Sequence, residues 1–117
     1  MCVLILIYKR IKDYPIVIAA NRDEYYDRPA QGPQLLGECT KVWGGRDIRA
    51  HGTWLGVNAC GLAVGLTNRR QRDNQTNDPQ KRSRGLVCLE ALQHRTASEA
   101  IASLSLQTQN YYNPFNM

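Results

Sequence analysis

A cysteine at position 2, the run Asn21-Arg22-Asp23-Glu24 and an asparagine at position 68 are the residues of this chain best suited to chemistry. Removal of Met1 would make Cys2 the terminal residue, with a free α-amine beside its thiol. Such an amine ordinarily titrates at about 7.7–8.0, so it can act as the general base for its own thiol without a histidine. The plain alternative is a small buried hydrophobe at the start of a strand. Asn21 to Glu24 directly follow the apolar run Ile16 to Ala20, so four polar side chains gather at a strand end, where charge has to be paired or solvated. That group can orient a nucleophile or a substrate, and it can equally be a turn held by an Arg–carboxylate pair. Asn68 closes another apolar run, where its amide can donate to an oxyanion or simply shape a turn. Trp54, between Gly52 and Gly56, can line a pocket or fill a core. His51 and His94 have no partner spacing, and Cys2, Cys39, Cys60 and Cys88 contain no Cys-x-x-Cys pair, so no metal is expected.

The elements that must position these groups can be read from the apolar pattern. Val3 to Tyr8 and Ile16 to Ala20 are short β-branched runs joined by a polar stretch that ends at Pro15, and they read as a hairpin of two buried strands. Their near-continuous apolarity implies that both sheet faces are covered, hence a layered fold. From Tyr25 to Ala50 the pattern breaks around Pro29, Gly32, Pro33, Gly37 and Gly44-Gly45, which reads as loop with a short strand near Val42. Thr53 to Asn58 and Leu62 to Thr67 form a second hairpin around Ala59-Cys60-Gly61, whose glycine supplies a positive φ. Leu86, Leu89 and Leu92 then recur at helical spacing behind Ser83. Thr96-Ala97-Ser98-Glu99 is a capping box opening a second helix with Ala97, Ile101 and Leu104 on one face. The tail from Tyr111 to Met117 reads as the beginning of a further strand.

Length and charge bound the rest. At 117 residues, 43% of them hydrophobic and 21% charged, the chain fits one domain spanning 1–117. Its net charge of +5 is concentrated, since residues 69–84 hold six Lys/Arg against two Asp/Glu. Residues 69–82 contain no aliphatic side chain, so they read as a mobile basic loop. That loop has no interleaved aromatics and no nucleic-acid-binding motif, so its charge is assigned to solvation and no nucleic-acid partner is expected. The longest apolar run stops at Lys9, far short of the roughly 18 residues of a membrane span, and no secretory signal precedes it. A cytoplasmic protein with four free thiols is the expectation.

Several of these segments together carry a resemblance. They are Met1-Cys2, Tyr14 to Pro29 with its Asn-Arg-Asp-Glu block, Gly45-Arg46-Asp47, Gly52-Thr53-Trp54-Leu55-Gly56-Val57, Leu66-Thr67-Asn68, Arg84-Gly85 and Tyr112 to Asn116. The chain closely resembles, over essentially its whole length, the NRDE family, also called the transport and Golgi organisation protein 2 family. The resemblance implies an α+β fold like that of the amino-terminal nucleophile hydrolases, an αββα sandwich, and a distant likeness to the penicillin V acylase and bile salt hydrolase group. This chain would hold the N-terminal half of such a sandwich, antiparallel strands followed by two helices. It would be truncated at its C-terminus, because such domains run to about twice this length, and half a sandwich would have to find its missing layers by forming a homo-oligomer or would not function.

In that group the residue matching Cys2 is the nucleophile, the residue matching Asp23 orients the α-amine, and the residue matching Asn68 contributes to the oxyanion hole. Those hydrolases carry an arginine just before the asparagine of this block. Ala20 stands there in this chain, and Arg22 is the candidate substitute. Asn21, Glu24 and Trp54 are then expected to bind the substrate. His51 replaces a glycine usual in the family and is expected to alter the turn before Trp54. The implied function is an amino-terminal-cysteine hydrolase acting on a small amide or acyl bond without a cofactor. The alternative is a non-enzymatic protein that binds and traffics haem, or lipid or acyl-coenzyme A.

Overall fold

A computed structural model describes residues 2–37, 40–69, 77–105 and 108–117 of the protein. The two amino-terminal apolar runs pair as expected. Strands β1 (Leu4–Ile11) and β2 (Tyr14–Ala20) form an antiparallel hairpin in register from Leu4 opposite Ala20 to Tyr8 opposite Ile16. Near its tip the register shifts, and Lys9 and Asp13 take positive φ values of 51° and 66°. The expected burial of both faces does not hold. Ile5, Leu6, Tyr8 and Ile16 remain 54%, 59%, 58% and 54% exposed. Apolarity chose the strand conformation, but the helices that follow lie on a different sheet.

That second sheet has the order β3-β4-β5-β6, antiparallel throughout, with β3 (Ala30–Leu35), β4 (Val42–Asp47), β5 (Leu55–Asn58) and β6 (Ala63–Gly65). The stretch 25–50, expected as loop around one short strand, therefore supplies two paired strands. Its β3 is an edge strand with a register shift between Gln31 and Gln34, and an edge with a bulge is where Pro33 costs no central ladder bond. The β5–β6 hairpin is as expected, with Gly61 at φ 82° in its turn. A two-stranded sheet of β7 (Thr67–Asn68) and β8 (Phe115–Asn116) then ties the tail back to the end of that hairpin.

Helices α1 (Arg84–Ala91) and α2 (Ala97–Ser105) follow the sheet, and a single turn, α3 (Thr108–Tyr111), precedes β8. The capping box opens α2 as expected, with the Glu99 N–H on Thr96 Oγ1 at 3.2 Å and the Thr96 N–H on Glu99 Oε2 at 3.3 Å. Both helices bury faces that match the expected ones only in part, at Leu92 and Leu104. In α1 the buried side chains are Val87, Cys88 and Ala91, continued by Leu92, while Leu86 and Leu89 are half-buried. In α2 Ala100 is buried and Leu104 packs on the core, whereas Ala97 and Ile101 are exposed.

The core is thus the meeting of α1 with β4, β5 and β6. Val42, Val87, Cys88 and Leu92 are fully buried, with Val64, Leu66, Ala100 and Tyr112 around them. Burial pushes the Cys88 thiol up to about 12, so it stays protonated and points toward the Val64 carbonyl oxygen at 3.7 Å. Asn58 is buried in the same region with all its capacity used. Its amide donates to the carbonyls of Leu92 (2.9 Å) and His94 (2.7 Å), and its Oδ1 accepts the N–H groups of Cys60 and Leu62. One side chain therefore shapes the hairpin turn and caps the end of α1. The fold is α+β with antiparallel sheets, and among the described residues no helix is long and apolar enough to cross a membrane.

Residues 70–76 of the expected basic loop lie outside the described residues, as does Cys39 among the four thiols. The described remainder of the loop is hydrogen-bonded to the tail. Asp78 N–H donates to Asn113 Oδ1 and the Asn113 amide returns to the Asp78 carbonyl, each at 2.9 Å, while Arg82 N–H donates to the Tyr111 carbonyl. Cys2, Cys60 and Cys88 are free thiols.

Candidate functional site

The open end of the β1–β2 hairpin brings Cys2 to Asp23. Asn21 N–H donates to the Val3 carbonyl at 3.1 Å, and Asn21 Oδ1 accepts the Val3 N–H at 2.7 Å, so the asparagine side chain prolongs the ladder one step past β2. That clamp sets Cys2 opposite the following residues. The Asp23 N–H points at Cys2 Sγ at 3.4 Å, and the thiol points back at the Asp23 carbonyl at 3.6 Å. The N–H directed at the sulfur comes from the residue expected to orient the α-amine. Cys2 is half-buried, unlike the exposed Cys60.

Beside the thiol lies an ion-pair network that joins three parts of the chain. Arg22 Nη2 donates to Asp47 Oδ2 at 3.0 Å and Arg22 Nη1 donates to the Arg28 carbonyl at 3.1 Å. Its guanidinium lies 5.2 Å from the Trp54 ring centroid. Arg28 Nη1 pairs with Glu24 Oε2 at 3.1 Å, and Arg28 Nε stands 2.9 Å from Asp47 Oδ2. That last approach is an ion pair without an aligned hydrogen bond, since the buried Nε has no acceptor in its N–H direction. Burial alone would raise the Asp47 carboxyl, but the Ala50 N–H and the Arg22 and Arg28 guanidiniums outweigh it and hold the group below its ordinary range.

Asp47 is placed by the turn that follows β4. Its carbonyl accepts the His51 N–H at 2.8 Å, its own N–H donates to the Gly52 carbonyl at 2.9 Å, and its Oδ1 accepts from Arg49 and Ala50. The turn closes with His51 at φ 59°, a left-handed backbone that a glycine takes freely and a histidine does not. Next to it Gly52 faces Gly85. A Cβ on Gly52 would stand 2.3 Å from the Gly85 carbonyl carbon, so the absence of a side chain is what lets the start of α1 reach this turn. Thr53 N–H donates to the Gly85 carbonyl across that approach.

The approach delivers Ser83 and Arg84. The Ser83 hydroxyl does not cap α1 and instead accepts Arg28 Nη2 at 3.4 Å. Arg84 is half-buried, and its Nη1 donates to the Pro114 carbonyl at 3.0 Å, with Asn77 Oδ1 at 3.5 Å. Burial lowers its pKa, Glu24 and Cys2 favour its charge, and Arg28 opposes it. A guanidinium remains charged through such a change.

The expected site residues therefore divide. Cys2, Asn21 and Asp23 meet at one strand end, and Glu24, Arg22 and Trp54 join the adjoining network. Arg22, two residues past the end of β2, is turned to Asp47 and Trp54. Asn68 is exposed on β7 opposite Phe115. Among the described residues it is tied to the cluster through its neighbour Arg69, whose N–H shares the Pro114 carbonyl with Arg84 Nη1. Sequence reasoning assigned no role in the site to Arg28, Asp47, Ser83 or Arg84. The blocks Gly45-Arg46-Asp47 and Arg84-Gly85 were the available signal, but no local spacing connects them to Cys2.

Comparison with known proteins places the chain. The family model Transport and Golgi organisation 2 matches residues 1–117. The mouse Transport and Golgi organization 2 homolog is 35% identical over 112 residues, covering 89% of this chain and 38% of the relative. The cattle and human Transport and Golgi organization protein 2 homologs are 33% and 32% identical over 107 residues, with the same coverage. The chain thus spans 38% of the length of these curated relatives. By a match along its whole length, the chain belongs to the Transport and Golgi organisation 2 family.

Proposed function

We propose that Cys2 is the nucleophile of an amide- or acyl-bond hydrolase, in the manner of the amino-terminal nucleophile enzymes. The observation that carries the reading is the Asp23 N–H aimed at Cys2 Sγ at 3.4 Å, at a strand end that Asn21 fixes. With Met1 removed, the thiol attacks the substrate carbonyl carbon and its proton passes to the α-amine of the same residue. The carbonyl oxygen becomes an oxyanion, for which Asn68 is the candidate donor. Collapse expels the leaving group, which takes the proton from the amine and leaves an acyl-cysteine thioester. Water then attacks the thioester, again losing its proton to the amine, and frees the acid and the thiol. Asp23 orients the amine, while the Arg22–Asp47–Arg28–Glu24 network holds the strand end in place. A reducing, cytoplasmic setting suits a mechanism that needs a free thiol.

The test is a Cys2→Ala variant of the Met1-processed, full-length protein, assayed against small amides and acyl thioesters. Turnover should disappear while the far-UV spectrum is unchanged, and undiminished turnover would end the nucleophile reading. Binding of haem or acyl-coenzyme A that Cys2→Ala leaves intact, without hydrolysis in either form, would favour the binding and trafficking role.

A further inference from the structure

We propose that Arg84 makes the Cys2 site selective for substrates with a carboxylate or similar anion next to the reacting carbonyl; this rests on Cys2 being the nucleophile. The carboxylates of the network that adjoins Cys2 are already paired. Asp47 is shared between Arg22 and Arg28, and Glu24 is taken by Arg28. Arg84 differs. Among the described residues its hydrogen bonds go to two neutral oxygens, the Pro114 carbonyl and Asn77 Oδ1, and it forms no ion pair with a carboxylate.

Position makes that charge useful. Arg28 grips Glu24 with Nη1 and Ser83 with Nη2, so the residues next to Asp23 and next to Arg84 are held by one side chain. The same link ties the start of α1, which carries Arg84, to the strand end where Cys2 and Asp23 meet. The Gly52–Gly85 approach keeps the start of α1 against the Asp47 turn, so Arg84 enters on a packed element. A half-buried guanidinium has lost part of its hydration, and an anionic ligand restores it best, because its fork of donors matches a carboxylate in two parallel hydrogen bonds. Only Nη1 has hydrogen bonds within the chain among the described residues.

Two alkylating reagents of nearly equal size read this charge directly. Iodoacetate carries a carboxylate and iodoacetamide is neutral, so the ratio of their rates at one thiol reports the local preference for an anion. The rates are measured on the full-length protein by peptide mass spectrometry at Cys2, with the exposed Cys60 of the same chain as internal reference. The iodoacetate-to-iodoacetamide ratio at Cys2 should exceed that at Cys60. It should fall about fivefold in Arg84→Gln, as expected for the loss of one charge acting in a partly solvated setting, and survive largely in Arg84→Lys. In the unmodified protein it should also fall as salt is raised, a readout that does not depend on any variant folding. A ratio at Cys2 equal to that at Cys60 and insensitive to salt would overturn the proposal, as would a ratio unchanged in Arg84→Gln. If Arg84→Lys lost as much as Arg84→Gln, a packing role would replace the electrostatic one. Failure of both reagents to modify Cys2 would instead sink the nucleophile reading, and this inference with it.

Discussion

The β1–β2 hairpin and the β3–β6 sheet invert the usual relation between composition and burial. The hairpin is the more apolar, with Leu4-Ile5-Leu6-Ile7 facing Val17-Ile18-Ala19-Ala20, yet most of its large side chains lie open on both faces. The four-stranded sheet has glycines at 44, 45 and 56 and a buried asparagine, yet it holds the core. The difference is the helix. Gly56 lies under Leu92, whose Cδ1 would stand 2.7 Å from any added Cβ, so the low profile of β5 is what seats α1. Hydrophobic stabilisation follows area removed from water, and apolar side chains left exposed contribute little of it.

Three substitutions measure this contrast, beginning with the largest effect. Leu92→Ala empties a fully buried position between α1 and β5, and should cost about 2–5 kcal/mol of unfolding free energy in a urea titration. Asn58→Ala strands two carbonyls and two N–H groups at the hinge between the β5–β6 turn and the end of α1. Its expected cost is about 2–3 kcal/mol, visible as a lower thermal midpoint. Leu6→Ser, at a position 59% exposed on the hairpin, should move stability by about 0.5 kcal/mol or less in the same titration. A Leu6→Ser cost comparable to that of Leu92→Ala would break the contrast, because it would mean that the hairpin is buried in solution.

The site shows the same division between local and distant information. Cys2, Asn21 and Asp23 lie at one end of a single hairpin, and the alternation of two adjacent strands was enough to bring them together. The capping box of α2 and the Gly61 turn were legible for the same reason, since each depends on residues no more than four apart. The strand β3 was not legible, because Gly32 and Pro33 interrupt its pattern and only pairing with β4 makes it a strand. The buried faces of α1 and α2 escaped too, because a leucine spacing shows that a face exists but not which neighbouring phase the sheet will select.

What the sequence by itself determined is the set of short-range elements, the candidate nucleophile with its adjacent strand end, and membership of a family. Tertiary structure alone decided that Arg22 meets Asp47 across 25 residues and Arg28 meets Ser83 across 55. It also decided that the start of α1 meets the turn after β4, an outcome of two facing glycines that leave room for a helix to approach a turn. Charge pairing and close backbone approach act between atoms near in space, and nothing in local periodicity records which distant residues will become neighbours.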